Sequence, residues 1–260
     1  MESTVRQMKT LTDYITSDAR HLVASDWCGT DTERRWQRNQ HRPELNTYRD
    51  QPVHYEINSD YFRSDYNYTE LMRQQIPVTV YLGCSHTFGI GHHEQNTWHH
   101  AVTEHTGITP VNLALPGAGV EFSQMILMRY IDRLNITRVY HFQPVYSRWL
   151  IKTDTRFRTI KPHNITDSVI QNNWSEPGYI QLSHYRNVKA IQQMCTERDI
   201  LYWHSDGSSM ETHLGIRMYK PELQSESDIP ARDRQHFPVS WQSYLSKHFV
   251  NSDPGVDWQL

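Results

Sequence analysis

Val78-Thr79-Val80-Tyr81-Leu82-Gly83-Cys84-Ser85-His86-Thr87-Phe88-Gly89-Ile90-Gly91 is the stretch that decides the fold. From Ile76 to Leu82 most positions are β-branched or apolar, as in a strand buried within an α/β sheet. Gly83 lets the backbone turn tightly, and Gly89 and Gly91 punctuate the loop beyond. His93 to His105 then reads as a helix whose start offers free backbone N–H groups near Ser85. A serine just past a buried strand stands at the edge of a sheet, where a substrate can reach it.

Working outward, Pro110 to Leu115 reads as a second strand and runs into Pro116-Gly117-Ala118-Gly119. A helical stretch from Val120 to Leu134 follows, then a third strand from Ile136 to Phe142. Val188 to Arg198 reads as a helix, Ile200 to His204 as a fourth strand and Val239 to Val250 as a closing helix. Strands alternating with helices predict an α/β three-layer sandwich around a central, mostly parallel sheet. Sites in such sheets lie beyond the carboxyl ends of the strands. Ser85, Gly117 and the residues after Phe142 all fall at such ends.

Near the other end stands Ala231-Arg232-Asp233-Arg234-Gln235-His236-Phe237-Pro238. A histidine can take the proton of a serine hydroxyl, and a carboxylate can hold that histidine in the right tautomer. Ser85, His236 and Asp233 are therefore candidates for nucleophile, general base and orienting acid. The plainer reading is that Ser85 is a small residue in a strand-to-helix turn.

The three segments together resemble the SGNH (GDSL-like) hydrolase family. Gly83-Cys84-Ser85-His86-Thr87 is similar to the family's first block and Asn112-Leu113-Ala114-Leu115-Pro116-Gly117 to its second. Asp233-Arg234-Gln235-His236-Phe237-Pro238 is similar to the fifth, with its Asp-x-x-His spacing. Tyr55 to Ser64 looks like the lead-in segment of some members. The resemblance implies an SGNH/flavodoxin-like fold and a serine esterase or deacylase working through an acyl-enzyme on Ser85. It implies catalytic roles for Ser85, Asp233 and His236, and an oxyanion hole from the N–H groups of Ser85 and Gly117. An ester of a small acyl group is the implied substrate.

The chain departs from the family at the third block, which normally carries an Asn. Here the third strand ends His141-Phe142-Gln143-Pro144-Val145-Tyr146-Ser147-Arg148. Gln143 is the expected substitute donor to the oxyanion, and Ser147 or Arg148 can also reach in. His86 and Arg148 are the candidates for facing substrate; Arg148 reads first as a surface ion pair, and in the other reading grips a substrate carboxylate or phosphate. The departure keeps a second class of function open: an SGNH-like module that binds a glycan or a protein with little or no catalysis. An acyltransferase on the same site is a third reading.

The 260 residues give room for one such domain, expected over residues 76–260, plus an N-terminal extension over 1–75 that packs on it. The net charge of −3, from 26 basic and 29 acidic residues, shows no basic stripe for nucleic acid. Mean hydropathy of −0.74 describes a polar surface. Eight Trp and fifteen Tyr suit a saccharide ligand, but equally an aromatic core. Cys28, Cys84 and Cys195 form no paired motif, which favours a reducing compartment. Cys84 reads as packing, with a role as alternative nucleophile the lesser reading. Met1 to Thr10 has no long apolar run and no stretch is long enough to span a membrane, so a cytoplasmic location is expected.

Within the extension, Thr10 to Ala24 reads as a helix. Glu33-Arg34-Arg35-Trp36-Gln37-Arg38, balanced by Asp31 and Glu33, reads as a solvated face, with phosphate binding as the alternative. His92, His93, His99, His100 and His105 crowd one stretch. They lack the i, i+4 pair of a zinc site, so no metal and no cofactor are expected. The loop His204 to Ser209 is a candidate pocket lining or a plain polar turn.

Overall fold

A computed structural model of the protein describes residues 24–143, 148–152, 157–160, 177–206 and 228–252. The expected helix from Thr10 lies outside these residues except for Ala24, as do Ser147 and residues 207–209 of the expected pocket loop.

Four parallel strands form the central sheet: β1 (Pro77–Gly83), β2 (Thr109–Asn112), β3 (Asn135–Gln143) and β6 (Leu201–Asp206). They stand in the order β2-β1-β3-β6. Omitting the intervening hairpin of β4 (Trp149–Lys152) and β5 (Phe157–Ile160), this is the 2-1-3-4 order of doubly wound sheets. Side-chain alternation sends the two faces of β1 into different layers. Val78, Val80 and Leu82 join Ile136 and Val139 of β3 in the larger apolar cluster. That cluster is closed by α6 (Val120–Tyr130), through Phe122, Ile126 and Leu127, and by α7 (Pro177–Thr196), through Ile191 and Cys195. Tyr81 of β1 and Tyr140 and Phe142 of β3 face the opposite layer. There they meet Trp98 and Val102 of α5 (Trp98–Thr106) and Trp241, Leu245 and Phe249 of α8 (Val239–Ser252). The fold is thus three-layered. A register shift between Val78 and Thr79 skips Thr137 of β3, which puts both Ile136 and Val139 on the same face.

Several elements differ from the sequence reading for local reasons. The second strand stops at Asn112, because the Asn112 side-chain oxygen accepts from Ala114 N at 3.1 Å and turns the chain. The helix expected from His93 begins at Trp98 instead, where the Thr97 hydroxyl caps it by accepting from His100 N. His93 therefore precedes the helix and shares no face with His100. A separate one-turn helix, α4 (Ser85–Phe88), starts at the candidate nucleophile. The donors near Ser85 belong to this turn and not to the longer helix. The helix expected from Val188 starts at Pro177, since proline is well tolerated in a first turn. The β4–β5 hairpin was not expected.

Ahead of the sheet come α1 (Glu33–Asn39), α2 (Asn46–Asp50) and α3 (Tyr68–Gln74). Leu45, Tyr48, Val53 and Tyr55 from this stretch pack with Phe88, Ile90 and Ala114 in a third buried cluster. The early residues thus lie against the loops that follow β1 and β2.

The turn at the end of β1 is the tightest point of the sheet. Gly83 has φ +152°, and a Cβ there would sit closer to Thr87 Oγ1 and the Phe142 carbonyl than real Cβ atoms come. Gly83→Ala is expected to cost about 3 kcal/mol, the range of strained or overpacked sites. Urea unfolding should show the midpoint falling with an unchanged slope.

Candidate active site

Ser85 follows β1 and opens α4, and the residue as a whole is 9% exposed. Cys84 is the residue before this turn, and its carbonyl accepts from the N–H groups of Thr87 and Phe88 at 3.0 and 2.9 Å. Its side chain is wholly buried, which makes it a packing residue. The turn is braced from two sides. Asn112 Nδ2 donates to Thr87 O at 3.2 Å. From the other side, the buried Arg63 guanidinium donates to the carbonyls of Phe88, Gly89 and His92 at 3.2, 2.6 and 2.9 Å. Its Nε pairs with Glu94 at 2.9 Å. A Cβ on Gly89, which has φ +83°, would collide with Arg63 Nη1 and Thr97 Cγ2, so this guanidinium reaches the loop only past a glycine.

The second half of the site is the loop ahead of α8. His236 Nδ1 lies 2.8 Å from Asp233 Oδ2. A carboxylate only accepts, so Nδ1 carries the proton and the Nε2 lone pair is left for another group. Asp233 Oδ1 accepts from the backbone N–H groups of Gln235 and His236 at 2.9 and 3.3 Å. Thr30 Oγ1 donates to Oδ2 at 2.5 Å, on the same oxygen that holds the imidazole. Burial alone would raise the Asp233 carboxyl. The hydrogen bond and charge of His236, with the Thr30 hydroxyl and the Gln235 N–H, instead hold it below the usual carboxylate value. Arg234, between the two residues, takes a left-handed φ of +55°, a conformation that costs a side-chain-bearing residue roughly 1–2 kcal/mol.

The two halves meet directly. Arg232 N donates to Gly91 O at 2.8 Å. A Cβ on Gly91 would press on Ala231, Arg232 N and Asp233 Oδ1, so only glycine allows this approach. The His86 ring lies with its centroid 4.8 Å from that of His236 and stacks on Phe237 at 4.1 Å. His92 Nε2 donates to Phe237 O at 2.7 Å. Desolvation, with the neighbouring His236, Arg148 and His92, holds His86 well below its ordinary value, and burial brings His92 to about 4. Both rings are therefore neutral near pH 7, His86 against the His236 ring and His92 on the Phe237 carbonyl. Among the described residues, the hydrogen bond of the His236 ring goes to Asp233, and none joins it to the Ser85 hydroxyl.

Around the candidate oxyanion position the residues are arranged as follows. Gly117 has φ +82° and open space where a Cβ would stand. Among hydrogen bonds between described residues, neither the Ser85 nor the Gly117 backbone N–H has an acceptor. Gln143 Nε2 donates to Ala118 O at 3.3 Å, and Arg148 Nη1 donates to the same carbonyl at 3.2 Å. The side chains of Gln143 and Arg148 thus converge one residue from Gly117. No group of His, Cys, Asp and Glu among the described residues is arranged to hold a metal ion.

Several contributing residues were not picked out from the sequence. Asp31 and Arg232 are both 1% exposed and form a bidentate pair at 2.7 to 3.1 Å. Tyr55 OH donates to Asp31 at 2.6 Å and accepts from Gly91 N at 2.8 Å. Nothing in the sequence marks Thr30. Arg63 and Tyr55 do fall within the lead-in segment singled out above, without a stated role.

No family model and no curated protein matches the chain. Solved structures do resemble it. One is a member of the lipolytic protein G-D-S-L family from Veillonella parvula DSM 2008, 9% identical at a TM-score of 0.34, over 68% of this chain and 100% of that one. Another is a G-D-S-L family protein from Desulfitobacterium hafniense DCB-2, 14% identical at a TM-score of 0.31, over 66% of this chain and 98% of that one. Likenesses this loose carry no chemistry, which has to come from the site itself. No helix among the described residues is long and apolar enough to cross a membrane.

Two outcomes follow from this geometry. Thr30→Val keeps the shape and removes the donor to Asp233, so unfolding at pH 7 is expected to become easier by about 2 kcal/mol. An Asp233→Asn background should remove most of that difference. The second concerns acid. Burial brings His92 and His99 from 6.5 to about 4, and it also holds His141 well below its ordinary value. Between pH 6.5 and 4 the unfolded chain binds protons that the folded chain refuses. Stability is therefore full above pH 6.5 and falls with pH by about 1.4 kcal/mol per unit for each such histidine. Urea titrations at pH 7, 6 and 5 check this, and His92→Gln should flatten the slope.

Proposed function

We propose that the protein is a serine ester hydrolase acting on a small acyl ester, with Ser85 as nucleophile, His236 as general base and Asp233 as its orienting carboxylate. One observation carries the reading: the Asp233–His236 pair at 2.8 Å, in the tautomer a general base needs, packed on the residue next to Ser85. In the proposed reaction His236 Nε2 takes the Ser85 hydroxyl proton as Oγ attacks the acyl carbonyl. The N–H groups of Ser85 and Gly117 take the oxyanion, with Gln143 beside them. The intermediate collapses to an acyl-serine, and the leaving alcohol departs with the proton from His236. Water then enters by the same path and releases the acid.

A saccharide ester is the proposed carrier, supported by the aromatic and amide-rich composition alone. One observation favours the non-catalytic reading. The Gln143 amide is already bonded to Ala118 O, so it has to turn before it can serve an oxyanion. Loss of one such donor costs about 10²–10³ in turnover, which slows a hydrolase without abolishing it.

A fluorophosphonate probe tests the proposal. Wild-type protein is expected to take one adduct at Ser85, located by mass spectrometry, and Ser85→Ala to take none. Turnover of short acyl esters should fall at least about 10³-fold in Ser85→Ala. A folded wild-type chain that neither labels nor hydrolyses would refute the hydrolase reading.

A further inference from the structure

The arginine run of α1 finds a place beside the site. Arg35, Arg38 and Asn39 from this helix line a solvent-open pocket of about 510 Å³ together with Asp233, Arg234 and Gln235. Arg35 and Arg38 are three apart and so share one side of the helix. Arg35 Nη1 donates to Asp233 O at 3.3 Å, which puts its guanidinium against the loop that carries the general base. Arg234 lines the same pocket, in the left-handed conformation noted above.

The charge here is unbalanced. Three guanidiniums line the pocket, and the one carboxylate among its walls, Asp233, is taken up by His236, Thr30 and Gln235 N. Glu44 touches Arg234 only loosely, at 3.9 Å, and shares itself with Arg42 at 3.8 Å. Glu33, on the same helix, is bonded to Gln37. Among the described residues neither Arg35 nor Arg38 has a carboxylate partner. Concentrating three cations from the two ends of a chain whose net charge is −3 costs mutual repulsion, which an anion would relieve. Each guanidinium offers several N–H donors in a fork that suits the oxygens of a tetrahedral anion.

We propose that Arg35, Arg38 and Arg234 form an anion subsite beside the Asp233–His236 pair, which takes a phosphate or sulfate group carried by the substrate. The assignment to substrate rests on the hydrolase reading above; the anion site itself does not. The group sits on the leaving-alcohol side and anchors it, while the ester reacts at Ser85. Such an anchor acts on the ground state and the transition state alike, so it lowers KM and leaves kcat nearly unchanged.

Calorimetry on the full chain with inorganic phosphate and sulfate, at ionic strength fixed with KCl, tests the site without any need for activity. Wild type is expected to bind phosphate, and Arg38→Gln/Arg234→Gln to bind it at least about tenfold more weakly. Arg73→Gln, on the exposed face of α3, should bind as wild type does. Circular dichroism confirms that each variant is folded. No binding by wild type, or equal binding by the double variant, would overturn the site.

A second arm compares two esters of one acyl group, on a phosphorylated and on a neutral alcohol. Wild type is expected to show a KM about tenfold lower for the phosphorylated ester, and Arg38→Gln to erase most of that difference at similar kcat. Free phosphate should compete with the phosphorylated ester. If phosphate binds at the arginines but the two KM values agree, the ligand is a free anion and the substrate assignment falls. If Ser85 takes no probe and neither ester reacts, the hydrolase reading fails instead, and calorimetry alone decides the anion site.

Discussion

The buried pair of Arg232 and Asp31 holds three distant segments in one place. Arg232 is bidentate to Asp31, also donates to the Asp26 carbonyl, and lies over the Trp27 ring at 4.3 Å. Asp31 in turn takes the Tyr55 hydroxyl, and that hydroxyl takes the Gly91 N–H. The Gly91 carbonyl closes the circuit by accepting from Arg232 N. The early segment, the loop after β1 and the loop before α8 therefore share one polar core. Desolvating such a pair is expensive, and removing either partner strands the other charge, typically at about 3–5 kcal/mol. The loop after Ser85 and the loop that carries His236 are tied to each other through that network.

The second constraint is dryness. Phe237 lies between His86 and Trp241, at 4.1 and 3.9 Å, and this stack covers the face of the sheet behind His236. Burial keeps His86 and His92 neutral, and Asp233 supplies a negative charge against the His236 ring. A charge in such a setting acts strongly on its neighbour. The same burial accounts for Cys28 and Cys195, whose thiols are pushed up to about 12 and so stay unreactive.

The sheet was legible because β1 and β3 are apolar on both faces and are separated by helical periods, which only a covered parallel sheet accommodates. The loops at its carboxyl edge were legible through Gly83 and the Asp233-x-x-His236 spacing, both of which are local. What joins them was not. Thr30, Asp31 and Arg63 act across long stretches of chain, and an isolated threonine or arginine carries no periodic signal. The arginines of α1 look like a solvated face until the helix is set against Arg234. The short strand β2 and the late start of α5 turned on single side chains, Asn112 and Thr97, whose hydrogen bonds override a run of apolar or histidine residues.

The measurement that bears most directly on a single Ser85–His236–Asp233 site is a crystal structure of the full chain after reaction with a phosphonate. Phosphorus is expected bonded to Ser85 Oγ, with one phosphonyl oxygen facing the N–H groups of Ser85 and Gly117 and His236 Nε2 within about 3.2 Å of the adduct. An adduct on another residue, or His236 turned away from the adduct with the Asp233 bond intact, would contradict it.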